Sequence, residues 1–189
     1  MRIISGTLKG RIVPTLKNHN YRPTLSRIRE DVFNLIHHNR DLDVELEKSI
    51  FGDLFCGSGS IGLEALSRGA KKVIFNDLSS QNINTLKTFL KSIPNNNYEI
   101  HQTDIFQNGN LLIESCNIIY MDPPYNYDFN LFRENIFPLL SNNCLVIYEC
   151  NQNITSENLI FDIYLRSKNE KINFLDQPAV EVLKKNTRA

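Results

Sequence analysis

No apolar run in this 189-residue sequence approaches membrane-spanning length. The opening residues Met1-Arg2-Ile3-Ile4-Ser5-Gly6 lack the apolar core of a secretion signal. The expectation is a cytoplasmic protein with no membrane association. The four cysteines, at positions 56, 116, 144 and 150, show no C-x-x-C spacing, which excludes a zinc ribbon or a disulfide framework. Cys144 and Cys150 flank an apolar run and read as core thiols of a reducing compartment. The four histidines (19, 37, 38, 101) form no metal-binding pattern, so no metal is expected. Internal repeats are also missing. Net charge is zero, which argues against a strongly basic nucleic-acid binder until its distribution is read.

That distribution is uneven. Residues 1–40 hold eight Lys/Arg (2, 9, 11, 17, 22, 27, 29, 40) against two acids, while the remainder is acidic by the same margin. Such asymmetry points to a local anion-binding face, or more plainly to a solvated basic surface. The hydrophobic fraction of 41% suffices for one full core, with room for a small appendage.

Along the chain, Arg2–Ser5 and Arg11–Pro14 read as two short strands around a glycine-bearing loop. Thr24 or Ser26 can cap a helix whose apolar stripe is Leu25, Ile28, Val32, Leu35 and Ile36, with Arg27 and Arg29 off that stripe. An acidic stretch, Asp41 to Glu47, marks the expected boundary between an extension (1–40) and the main domain (41–189). Beyond it strands and helices alternate. Strands are expected at 50–55, 72–76, 98–102, 117–121 and 144–150, and helices at 60–68, 79–93 and 131–140. A tail hairpin is expected from 159–166 and 171–175. This alternation predicts a parallel, doubly wound α/β sheet with ligands at the strands' carboxyl ends.

Two stretches carry chemistry. Gly57, Gly59 and Gly62 form G-x-G-x-x-G between the first strand and the next helix, a spacing suited to a tight turn and a close ligand. Asp77, 20 residues after Gly57, can bind ribose hydroxyls or simply cap a helix. Asp104 can wall an adenine pocket or cap Ile105-Phe106. This fingerprint alone admits NAD as well as other adenosine cofactors. The second stretch is Asp122-Pro123-Pro124-Tyr125, which closes the run Asn117–Met121. The prolines stop the strand and stiffen the loop. Asp122 and the Pro123 carbonyl can accept both N–H bonds of an exocyclic amine on a flat base, and Tyr125 can stack on that base. Held so, the amine nitrogen can aim its lone pair at an electrophilic methyl. The two stretches together with Asp77 favour S-adenosyl-L-methionine over NAD.

Several further segments carry a resemblance: Arg2-Ile3-Ile4-Ser5-Gly6, Lys9-Gly10-Arg11, Arg22-Pro23-Thr24, Arg27-Ile28-Arg29-Glu30 and Gly62-Leu63-Glu64-Ala65-Leu66-Ser67-Arg68-Gly69-Ala70. With the motifs above they make the chain resemble the RsmD family, the bacterial 16S rRNA (guanine(966)-N2)-methyltransferases, over roughly residues 1–150. The resemblance implies a Rossmann-like class I methyltransferase with a seven-stranded, mostly parallel sheet ending in a hairpin, and a small N-terminal β-hairpin/helix extension facing RNA. It implies S-adenosyl-L-methionine as cofactor, S-adenosyl-L-homocysteine as product, and 16S rRNA within the 30S subunit as partner, the enzyme being a monomer.

By the same resemblance, Asp53, Phe55, Cys56, Gly57, Ser58, Gly59 and Gly62 line the methionine end of the cofactor. Asp77 with Leu78 holds the ribose, and Asp104 with Ile105 meets the adenine. Asp122, Pro123, Pro124 and Tyr125 hold the guanine amine, and Arg2, Lys9, Arg11, Arg22, Thr24, Arg27 and Arg29 hold rRNA. The family more often has Gly at position 5, Asp at 26, Glu at 77 and a Tyr-Gly turn where this tail has Asn-Glu-Lys-Ile. Rival readings are an adenine N6 or cytosine N4 methyltransferase, a NAD-dependent oxidoreductase and a non-catalytic RNA-binding assembly factor.

Overall fold

The structure is a computed structural model that describes residues 1–15, 26–38, 42, 44–94, 96–124, 127, 129–141, 144–150, 161–163 and 179–185. Five parallel strands form its centre in the order β3 (Tyr98–His101), β2 (Lys72–Asn76), β1 (Ile50–Asp53), β4 (Ile118–Met121) and β5 (Leu145–Cys150). The strand order reverses between β1 and β4, which opens a crevice at their carboxyl ends. Beyond β5 the sheet continues antiparallel through β7 (Ala179–Lys185) and β6 (Phe161–Ile163). The expected seven-stranded sheet is thus a parallel core of five strands with an antiparallel pair at its edge. The strand that follows β6 among the described residues lies at 179–185; the strand expected at 171–175 falls outside the described residues.

Strand residues alternate strictly between two cores. Phe51, Val73, Phe75, Ile118, Tyr120, Leu145 and Ile147 face one cluster, and Ile74, Ile119, Met121, Val146 and Tyr148 face the other. A period of two with apolar residues at nearly every position is what a parallel sheet covered on both faces requires. The first face is covered by α1 (Ser26–His38), α2 (Ser60–Ser67) and α3 (Ser80–Leu90), and the second by α4 (Ile105–Asn108), α5 (Asn110–Glu114) and α6 (Phe129–Asn135). The single long helix expected at 131–140 stops at Asn135. Pro138 then leads a 3-10 turn, Phe137–Leu139, because proline cannot donate to a continuing α-helix.

The N-terminal hairpin is smaller than expected, one antiparallel bridge between Arg2 and Ile12. It is fastened instead to α2. The buried Glu64 carboxylate accepts the backbone N–H groups of Ile4 and Ser5, each at 2.9 Å. Ser67 accepts the Leu8 N–H on its hydroxyl and the Thr7 N–H on its carbonyl, and its hydroxyl donates to the Ser5 carbonyl. Gly6 sits at φ +78°, where a Cβ would overlap the Ser67 carbonyl, so only glycine fits. Ile3, Leu8 and Val13 consequently join the same apolar cluster as Phe51 and Leu63.

Candidate active site

The glycine loop follows β1 directly. Gly57 (φ +52°) and Gly59 (φ +77°) both take left-handed backbone, and Gly59 caps α2. Two of the three motif glycines also answer to packing. A Cβ on Gly59 would crowd Leu86, and one on Gly62 would overlap the Phe75 ring. The loop is braced by its acids. Asp77 accepts from the Gly57 N–H at 2.7 Å, the Ser79 N–H at 2.8 Å and the Asn82 side chain at 3.2 Å. Asp53, 2% exposed, accepts from the Gly62 N–H at 2.8 Å. Burial pushes the Asp53 carboxyl up to about 7, the Gly62 hydrogen bond opposing and the Asp77 charge adding to it. Cys56 and Ser58 are buried within the loop, and burial drives the Cys56 thiol well above its ordinary range.

A cleft opens beside this loop. It is lined by Leu54 and Phe55 after β1, Asn76 and Leu78 at the end of β2, Thr103 to Phe106 after β3, and Tyr127. Asp104 does cap α4, accepting from the Phe106 N–H at 3.1 Å, and lines the cleft at the same time. Leu78 is 62% exposed, an apolar side chain left over the opening. Phe106 and Tyr127 stack at 5.1 Å with 16° between their planes, and Phe55 lies 5.9 Å from Phe106. Flat apolar rings, a carboxylate and positive-φ glycines suit an adenosine group, which is what a cofactor such as S-adenosyl-L-methionine would present.

The Asp122 loop leaves β4 next to β1, where Asp53 pairs in register with Tyr120. Asp122 is half-buried, Pro123 buried and Pro124 exposed. The Pro124 carbonyl accepts the Tyr127 N–H at 2.9 Å, which folds the loop back toward the cleft. Tyr125 lies outside the described residues. Asp53, Tyr120 and Glu149 lie on the sheet face of the first core. The Tyr120 hydroxyl donates to the buried Glu149 carboxylate. Burial, then the neighbouring Glu149 and Asp122 charges, hold the Tyr120 phenol well above its usual range. The structure therefore brings the cofactor-loop residues and Asp122 to one end of the sheet.

The basic residues divide. Arg2, Lys9, Arg11 and Arg27 are exposed, with Arg27 3.8 Å from Asp31, while Arg22 and Thr24 lie outside the described residues. Arg2 and Arg11 each spend one N–H on a backbone carbonyl, of Gly10 and Ser92. Arg29 corrects the sequence expectation. It is 2% exposed, and its guanidinium donates to the Arg2 carbonyl and the Ser26 hydroxyl, holding the N-terminal segment to α1 instead of facing solvent. Position 29 stands three, four and seven residues before Val32, Phe33 and Ile36, which puts it on the buried face of α1 and not off the apolar stripe. Asn76, Phe106, Tyr127 and Glu149 were not flagged by the sequence. Tyr127 alone had a signal, as an aromatic two residues past the Asp-Pro-Pro-Tyr motif.

The family model described as Conserved hypothetical protein 95 matches residues 1–187. Ribosomal RNA small subunit methyltransferase D of Haemophilus influenzae is 35% identical over 156 residues, covering 77% of this chain and 73% of that protein. Among solved structures, Escherichia coli yhhF superposes with a TM-score of 0.74 at 24% identity, over 97% of both chains. An RNA methyltransferase from Salinibacter ruber, determined with S-adenosyl-L-homocysteine, gives 0.62 at 17% identity over 89% of this chain and 96% of that one. The sheet order, the loop after β1 and these likenesses lead to one conclusion: the chain belongs to the RsmD family of ribosomal RNA small subunit methyltransferases.

Proposed function

We propose that this protein transfers a methyl group from S-adenosyl-L-methionine to N2 of a guanine in 16S rRNA of the small ribosomal subunit. The observation that carries the reading is the placement of the Asp122-Pro123-Pro124 loop beside the Asp53–Gly62 loop at the crevice between β1 and β4. When bound, the cofactor supplies an electrophilic methyl on a sulfonium. Asp77 and the aromatic-walled cleft hold its adenosine, and Asp53 lies toward its methionine end. The target base must be unstacked to reach the loop, since its amine is inaccessible within a helix. Asp122 and the Pro123 carbonyl then accept the two amine N–H bonds and direct the nitrogen lone pair at the methyl. The N–C bond forms as the S–C bond breaks, and the methylated nitrogen releases its proton to Asp122 or water.

The N-terminal extension, residues 1–40, is the RNA-facing part of the protein, with Arg2, Lys9 and Arg11 exposed on a segment fixed to α2. Phosphate contacts of this kind orient RNA without reading its sequence. The substrate is the 30S particle, and the enzyme acts as a monomer.

The test is incubation with S-adenosyl-L-methionine and 30S subunits lacking the modification, followed by mass spectrometry of digested rRNA nucleosides. N2-methylguanosine is expected. N6-methyladenosine or N4-methylcytidine would keep the chemistry and overturn the choice of base, because the Asp-Pro-Pro loop itself binds any exocyclic amine.

A further inference from the structure

Asn76 ends β2 with a side chain that is polar, 1% exposed and set among apolar residues. Both amide hydrogens of its carboxamide and its oxygen are hydrogen-bonded. The Nδ2 group donates to the Leu54 carbonyl at 3.2 Å and to the Thr103 carbonyl at 3.0 Å, and Oδ1 accepts the Thr103 N–H at 3.0 Å. Its own backbone carbonyl accepts the Cys56 N–H at 2.9 Å. One residue thus joins the end of β1, the end of β2 and the segment that follows β3, which are 22 and 27 positions away in the chain.

The two anchored segments follow β1 and β3, the strands on either side of β2, and both are walls of the cleft. Leu54 leads into Phe55 and the glycine loop. Thr103 leads into Asp104, which caps α4 and thereby places Phe106. Gripping both the N–H and the C=O of Thr103 fixes the position and the tilt of that peptide, as a further strand would. No other side chain of this size donates twice and accepts once. Asp matches the shape but turns an acceptor oxygen toward two carbonyls. Val packs equally well in a strand but binds neither wall.

We infer that Asn76 is a positioning residue for the cofactor, its carboxamide fixing the separation of the two walls that hold the adenosine group. This rests on reading the cleft as the adenosine site. A fully satisfied buried polar network of this kind holds one geometry, whereas an apolar contact tolerates several.

The experiment uses the full chain and S-adenosyl-L-homocysteine as probe. Its dissociation constant is measured by calorimetry for the wild type, Asn76→Asp, Asn76→Val and the control Phe106→Ala, at a temperature where circular dichroism shows each folded. The dissociation constant should rise at least about tenfold in both Asn76 variants. Turnover at saturating cofactor should stay within about threefold of wild type, a split between KM and kcat that general destabilisation does not produce. An unchanged constant in Asn76→Val, with Phe106→Ala weakened, overturns the inference alone. Unchanged constants in all three variants overturn the adenosine reading and the inference with it. A second measurement needs no variant. In the wild type the Thr103 amide and the Asn76 side-chain amide should gain exchange protection together when the probe binds, and protection gained at neither overturns the inference.

Discussion

Replacing Glu64 by Ala isolates the attachment of the N-terminal segment. Glu64 is buried in α2 and accepts three hydrogen bonds, from Ile4 N–H and Ser5 N–H at 2.9 Å and from Arg68 Nε at 3.1 Å. Bonds to an ionised acceptor are each worth about 1.5–3 kcal/mol net, and stranded donors add their own desolvation. Ile4 and Ser5 are half-buried, so water recovers part of that loss, and Arg68 keeps its packing over the Phe33 ring at 4.7 Å. The sum comes to about 3 kcal/mol for Glu64→Ala. Glu64→Gln keeps one acceptor and turns an amide donor toward a backbone donor, for about 2 kcal/mol. At this chain length about 3 kcal/mol lowers the melting temperature by roughly 10 °C. Urea unfolding measures the loss, and amide exchange at Ile4 and Ser5 locates it. A Glu64→Ala protein within about 0.5 kcal/mol of wild type, or one that loses stability while those two amides keep their protection, would refute this role for Glu64.

Four other substitutions have measurable outcomes. With its carboxyl raised from 3.8 to about 7, Asp53 holds its proton longer in the fold than in the unfolded chain. It therefore lowers stability progressively as pH rises from about 4 through 7, by about 4 kcal/mol at most, and Asp53→Asn should flatten that slope in urea titrations run from pH 4 to 8. Asp122→Ala should cut turnover about a hundredfold or more while leaving cofactor affinity within about threefold, as single-turnover kinetics and calorimetry would show; equal, modest losses in both would remove its assigned role. Arg29→Ala should destabilise the fold by about 2–3 kcal/mol in urea. Arg11→Ala should leave stability within about 0.5 kcal/mol and instead weaken RNA binding, reducing its dependence on salt by about one unit of slope.

The parallel core was legible because its signal is long-range and redundant. Five apolar runs separated by helical patterns have few other arrangements, and β2 falls at the expected 72–76. The placement of the glycine loop and Asp77 was also legible, since spacing along one βαβ unit fixes both. Three features were not. Arg29 has the helical spacing of the buried Val32, Phe33 and Ile36, but a charged residue there reads as surface until its tertiary partner, the Arg2 carbonyl, is known. Asn76 lies in an apolar strand with nothing local to mark it. Its partners come from β1 and from beyond β3, so only the assembled sheet reveals that the amide is satisfied. Phe106 and Tyr127 meet across separate loops, and sequence distance hides a ring stack of that kind. At Gly59 and Gly62 the packing demand was hidden as well, since neighbouring Leu86 and Phe75 require a missing Cβ there whatever the loop binds.

The fastening of residues 4–8 to Glu64 and Ser67 sets an order of events on the ribosome. These contacts join positions 59 to 62 residues apart, so residues 4–8, made before α2, have no docking site until α2 has emerged and formed. Closing a loop of that length carries an entropic cost that grows only slowly with length, and the stability of the finished fold does not depend on when the contact forms. The delay does leave a basic segment unattached while the β1–α2 unit is being made, and nascent cationic chain is drawn to any nearby polyanion. A slow translation step before codon 68 should prolong that exposure, and a circular permutant that begins near residue 45 should abolish it by making α2 first.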